Sequence, residues 1–295
     1  MKSTGFRKRL KLWAAMFIIL FSISSASILV LLSGASAPVC AFWRLTISFT
    51  ILAAAYYVTG KTSFTRFISG GNMLLTAFSG FLLGVHFLLW MESLFHVPVS
   101  ISTTVVVSYP LFNLVVDVLV FHERIDVVQA VGLLTGFTCI LLFMHPSVLG
   151  NYSVYGVLFS LGGALAASGY FSIGRYLRKR IGLMEYVLPT YGFASLTLLS
   201  YSLLVGVDLV SYPPKTYLYL VLLALLPMIC GHTLMNYLLK YMKSSVVTSI
   251  ALGEPVGASI LAYFILGQVV DVSEVILMAL VLSSILLTVS REKVP

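Results

Sequence analysis

The stretch ALGEPVGASILAYF, Ala251 to Phe264, is apolar except for one carboxylate, Glu254, followed directly by Pro255. Glu254 lies roughly eleven residues into its apolar run, about 16 Å along a helix at 1.5 Å per residue. That is near the midplane of a bilayer core about 30 Å thick. A charged carboxylate there costs roughly 2.5–3.5 kcal/mol on insertion scales. It must therefore face a wet cavity, pair with a cation or carry a proton. Two chemistries suit it: contact with a substrate amine, or proton coupling. The plainer role is a neutral acid bonded to a neighbouring helix. Arg44, in AFWRLTIS, is the opposite case. It sits about eight residues into its own run, some 12 Å deep at helical rise, and keeps its proton. It can clamp a substrate carboxylate, pair with Glu254, or snorkel.

Other polar and aromatic residues recur at helical spacing. His86 and Trp90 are at i and i+4, and so are His232 and Asn236, which puts each pair on one helix face and offers a cavity lining. Asn113 and Asp117 share the same spacing and are read as cavity or gate residues. Tyr109 precedes Pro110 as Glu254 precedes Pro255. Each proline removes a backbone donor and frees a carbonyl one turn back, so both are candidate helix breaks. Tyr109, Trp90, Trp43, Tyr191 and Tyr237 offer aromatic surface for a cation or aromatic group, or serve as interface anchors. Glu92 lies near the end of its run and is read as a mouth or interface residue. No carboxylate or cysteine stands at ligand spacing to the histidines, so no metal site is expected. Cys40, Cys139 and Cys230 fit no metal or disulfide pattern and are read as small buried side chains.

The elements that must position these residues follow from composition. The chain has 295 residues, 59% hydrophobic and 9% charged. A soluble domain carries roughly 25% charged residues, so this one reads as an all-α, polytopic membrane protein. About 20 apolar residues cross one bilayer. Ten spans are expected, at approximately 13–32, 36–58, 71–94, 97–121, 127–144, 153–174, 186–207, 216–239, 244–267 and 272–290. The first run is longer than the core of a signal peptide, about 7–15 residues, and is read as a retained helix. With the N-terminus in the cytoplasm, every Lys and Arg except Arg44 and Lys215 falls on the inner side. Both termini are then cytoplasmic, in an inner or plasma membrane. The net charge of +8 serves orientation rather than nucleic-acid binding.

An offset of 145 residues superposes Thr103 on Thr248, Pro110 on Pro255 and Asp126 on Asp271. The repeat is five spans long, an odd number, so the second copy enters the membrane from the other side. Two inverted-topology repeats, 1–146 and 147–295, are expected around a central cavity. Small residues four apart, Gly80/Gly84, Gly132/Gly136 and Gly253/Gly257, suit close helix packing within the chain or between two copies.

Three stretches carry a family resemblance: AFWRLTIS, YPLFNLVVDVLVFHERIDVVQAVGLLTG (Tyr109–Gly136) and EPVGASILAYFILGQVVDVSE (Glu254–Glu274). The chain resembles the drug/metabolite transporter superfamily, in its ten-helix members built from two EamA-type domains. Gly267-Gln268 has Gln where the pattern has Glu, and Phe121-His122-Glu123 lacks the glycine. The resemblance implies an export or exchange carrier for small metabolites, amino acids being a common cargo. It also implies helices 1–4 and 6–9 around the cavity, with 5 and 10 peripheral. Amines, nucleosides and drugs are alternative cargoes. An intramembrane enzyme on lipid-linked substrates would need a reactive cluster, and His122, Glu123, Arg124 and Asp126 form the single one, in a tight turn. A channel would need a ring of like groups that a lone midplane acid does not supply. No phosphate-binding glycine loop is present, so the expected drive is a substrate or proton gradient, with no cofactor. The expected partners are a small-molecule substrate and the lipid bilayer, in a monomer or homodimer. Asn151-Tyr-Ser153 matches a glycosylation acceptor.

Overall fold

The computed structural model describes residues 17–59, 72–120, 122, 124, 126–142 and 152–290. The basic residues Lys2, Arg7, Lys8, Arg9, Lys11, Lys61, Arg66, Arg291 and Lys293, together with Glu123 and Asn151, lie outside them. Among the described residues the chain is helical, with no strand. Among the described residues seven helices are long and apolar enough to cross a membrane, and three apolar helices are shorter. In chain order they are α1 (Phe17–Ser33), α2 (Ala37–Val58), α3 (Asn72–Ser93), α4 (Val99–Leu119), α5 (Val127–Leu142), α6 (Val154–Arg178), α7 (Leu183–Val205), α8 (Pro214–Leu238), α9 and α10 (Val272–Ser290). α9 runs in three pieces, Ser244–Thr248, a 3-10 turn Ser249–Gly253, and Glu254–Leu266.

Helices in lipid gain little from hydrophobic segregation, so close packing and polar cross-links hold them together. The Gly80 pair of α3 meets that need inside the chain. A Cβ at Gly80 would stand 2.6 Å from both Phe193 Cβ and Thr190 O of α7. The larger core joins α1, α2, α3, α6, α7 and α8 through residues such as Leu45, Phe87, Met91, Tyr170, Phe171 and Tyr191. A second core, with Ile101, Leu111, Cys139, Val281 and Ile285, seats α5 and α10 against each other and α4.

Helices α4, α9 and α8 each depart from a plain α-helix over part of their length. α4 breaks at Val107 and Ser108, between Val99–Val106 and Tyr109–Leu119. α9 breaks at its 3-10 turn, directly before Glu254. Pro110 and Pro255 each stand in the first turn of the second half-helix, where a missing N–H costs nothing. The prolines thus begin new half-helices, and the spans expected at 97–121 and 244–267 are each divided. Hydroxyls supply the local hydrogen bonds. Thr103 Oγ1 donates to Val99 O at 2.6 Å, and its repeat mate Thr248 Oγ1 to Ser244 O at 2.8 Å. In α8, Ala224–Thr233 is π-helical and contains Pro227. Thr233 Oγ1 donates to Met228 O, five residues back, at 3.2 Å, and Ser48 Oγ of α2 donates to Ala224 O at 3.2 Å.

Candidate functional site

The two breaks place Tyr109 and Glu254 at equivalent points, each the first residue of a half-helix, and both face one internal cavity. The cavity is lined by α1 (Ile23, Ala26), α2 (Arg44), α3 (His86, Phe87, Trp90), α4 (Val106, Tyr109), α8 (His232, Met235) and α9 (Glu254). Its volume is about 20 Å³, space for about one water. Small-molecule pockets occupy roughly 300–1,000 Å³, so the cavity as it stands is too small for an organic cargo.

Among the described residues Arg44 is the largest fully buried side chain, 1% exposed. Its guanidinium lies over the Phe87 ring, Cζ 4.0 Å from the ring centroid. Its Nε and Nη1 have no hydrogen-bond partner among the described residues. Arg44 and Glu254 line the same cavity but form no direct ion pair there. An unpaired buried donor is costly, more so when charged, which makes these nitrogens a receptive site for an acceptor. The indole Nε1 of Trp90 and the Nδ1 of His232 are likewise without partners.

The histidines stack beside them. His86 lies parallel to Trp90 (6.3 Å, 8°) and 6.0 Å from His232, which stacks on Phe171 (5.9 Å, 17°). His86 Nδ1 lies 2.9 Å from Gly163 O, so it carries the proton and donates, leaving Nε2 as an acceptor. Gly163 makes this approach feasible. A Cβ there would meet Trp90 N at 3.2 Å and His86 O at 3.3 Å.

Asn236 and Asn113 stand outside the cavity lining. Asn236 donates to Tyr170 Oη and, at 2.8 Å, to His232 O, so it braces α8 against α6 behind the histidines. Asn113 ties three helices. It donates to Thr248 Oγ1 at 3.1 Å and accepts from Ser168 and Ser172 at 2.8 and 3.2 Å. One turn on, Asp117 Oδ1 accepts from Arg175 Nη1 at 2.6 Å in a buried ion pair. At the other end of α4, Gln268 Oε1 accepts from Val99 N at 3.1 Å, and Glu274 accepts from Ser100 Oγ. Trp43 Nε1 donates to Leu209 O at 2.7 Å, Tyr191 Oη lies 2.9 Å from Thr233 Oγ1, and Tyr237 packs on Tyr241. Glu92 lies 3.2 Å from His96 at a half-exposed position. His122, Arg124 and Asp126 are exposed, and Asp126 accepts from Gln129 N at 2.9 Å as a helix cap. Among the described residues no group of acidic, His or Cys side chains could hold a metal.

The profile of the EamA-like transporter family matches the chain twice, over residues 11–144 and 154–290. The chain belongs to the EamA-like transporter family. It is an integral membrane protein built from two copies of the family's unit. An uncharacterized transporter of Archaeoglobus fulgidus is 23% identical over 189 residues, 64% of this chain and 66% of the relative's length. A protein of known crystal structure superposes with a TM-score of 0.70 at 17% identity, over 93% of this chain and 96% of its own. That likeness concerns the fold. Within this EamA-like chain, Gly163, Phe87 and the π segment of α8 are parts of the site that the sequence reading passed over. A Gly162-Gly163 pair opposite a membrane-embedded histidine was the available signal for the first. Phe87 follows His86 directly and reads as an ordinary apolar residue until Arg44 is placed over it.

Proposed function

We propose that the protein is a secondary transporter of small organic metabolites, amino acids favoured, which exports or exchanges its cargo by alternating access between repeats 1–146 and 147–295. The observation that carries this reading is one closed cavity holding Arg44, with unpaired guanidinium nitrogens, and Glu254, unpaired with it. A fixed cation and an acid on opposite repeats suit a cargo with a carboxylate and an ammonium group. Trp90, His86, His232 and Tyr109 supply aromatic and polar surface around it. Ten crossings follow when the three shorter apolar helices also span the bilayer, with five per repeat in opposite senses and both termini cytoplasmic. The site is lined within one chain, so a monomer suffices, and a homodimer would duplicate it. Glu254 is the group placed to couple cargo to protons.

Counterflow in proteoliposomes tests this, since it needs no knowledge of the driving ion. Pooled labelled amino acids should accumulate against a preloaded unlabelled pool. No uptake by folded protein, with uptake of labelled amines, nucleosides or drugs instead, would replace the amino-acid reading and leave Arg44 a structural residue.

A further inference from the structure

A second recess lies on the outside of the bundle, away from the central cavity. It has a volume of about 500 Å³ and is lined by Leu75, Phe78 and Leu82 of α3, Val116 and Val120 of α4, and Gly169, Ser172, Ile173 and Tyr176 of α6. The lining is hydrocarbon and aromatic save for the hydroxyls of Tyr176 and Ser172, the latter donating to Asn113. Phe78, Val120 and Tyr176 stand exposed along it. On helices of a membrane protein such residues face acyl chains.

One end of this groove is marked by charge. The last turn of α6 holds Arg175 and Arg178, and Lys179 and Arg180 follow it directly. Arg175 is held by Asp117, and Arg178 is buried, donating to Asn236 O and Ile181 O. Lys179 and Arg180 are exposed. The Arg180 guanidinium lies 3.4 Å over the Tyr176 ring and donates to Tyr176 O at 3.1 Å. The groove's wall residue thus fixes a cation at its mouth. The shape offers an acyl slot between three helices, and the charge offers a headgroup site one turn beyond it. Exposed cations beside a membrane surface attract anionic lipid. A zwitterionic lipid could fill the slot but would gain little from Arg180. A neutral peptide segment would leave Arg180 without a counter-charge.

We infer that this groove binds one anionic phospholipid, an acyl chain lying along Leu82, Ile173 and Val116 and the phosphate meeting Arg180 and Lys179. Because Ser172 and Asp117's partner Arg175 belong to the same stretch of α6, the bound lipid braces the α4–α6 contact from outside.

The test is native mass spectrometry of the full chain in an equimolar mixture of phosphatidylglycerol and phosphatidylcholine with identical acyl chains. The wild type should retain phosphatidylglycerol in preference. Arg180→Gln should lower that preference by about fivefold, the factor one surface cation supplies. Val120→Trp, at a position 62% exposed, fills the groove without touching the core and should cut retention of both lipids. Lys215→Gln, exposed in the first turn of α8, should change neither. Equal retention of the two lipids by the wild type would overturn the inference. So would an unchanged preference in Arg180→Gln, or unchanged retention in Val120→Trp.

Discussion

Glu254 and Arg44 are unusual as single residues because each is charged chemistry placed where solvation is poor, and they do not neutralise each other by contact. Gln is the neutral isostere of a protonated Glu. Glu254→Gln should therefore fold normally and transport at a rate that no longer varies with pH. The wild type should match it at low pH, where Glu254 carries its proton, and diverge as pH rises. Counterflow across a pH series reads this directly, and parallel profiles would remove Glu254 from coupling. Arg44 makes a different prediction. Truncating one member of a buried charged contact costs about 2–5 kcal/mol, so Arg44→Gln should weaken a carboxylate-bearing cargo by about thirtyfold or more. Binding of the matching amine without a carboxylate should barely change. Equal losses for both ligands, measured by scintillation proximity, would make Arg44 a packing residue. Both positions were legible as isolated charges in apolar runs. That they could meet was one of the alternatives open for Arg44; which one holds was not legible, because Arg44 and Glu254 are far apart in sequence and no local rule relates them.

At the scale of elements, α4 carries polar ties at both ends. Its start is held to α9 and α10 by Gln268 and Glu274, and its far half to α6 and α9 by Asp117–Arg175 and Asn113. We predict that opening the cavity toward the α6–α7 end breaks the second set. Leaving one member of a buried ion pair unpartnered costs about 3–5 kcal/mol, and that cost falls on the closed state. Asp117→Asn should accelerate alkylation of a cysteine placed at Ser168, which is buried against Asn113. Adding Arg175→Gln should restore part of the protection, since the guanidinium that lost Asp117 is then gone. Unchanged labelling in Asp117→Asn would remove this pair from gating. The breaks in α4 and α9 lie beside Pro110 and Pro255, residues the sequence offers as candidate breaks because proline chemistry is local. The π-helix of α8 left only a trace: His86 and His232 are 146 residues apart, Pro110 and Pro255 145. A π turn takes up an extra residue, and the offset is back at 145 by Thr103 and Thr248, so a compensating one-residue change lies between His232 and Thr248. Whether one residue is absorbed by a loop or a helix is decided by packing, here by Ser48 bonding Ala224 O and Tyr191 meeting Thr233.

For the whole molecule the distribution of cations makes the sharpest statement. Reporter fusions after the C-terminus should read as cytoplasmic, and a reporter inserted beside Lys215 as external. Two reporters on the same side would undo the inverted arrangement of the repeats, whatever the cargo. Apolar content, run lengths and the internal offset determined by themselves that this is a helical membrane protein with two related halves. They suffice because a bilayer admits so few backbone solutions. Only the tertiary structure decided which side chains meet. It put Tyr109 and Glu254 on one cavity, laid Arg44 over Phe87, and drew Asn113 and Asn236 into bracing networks. The physical reason is that a residue's place on a helix face is set by its own sequence, whereas the helix opposite it is set by close packing. Contacts such as Gly163 against His86 and Gly80 against Thr190 join residues many turns apart.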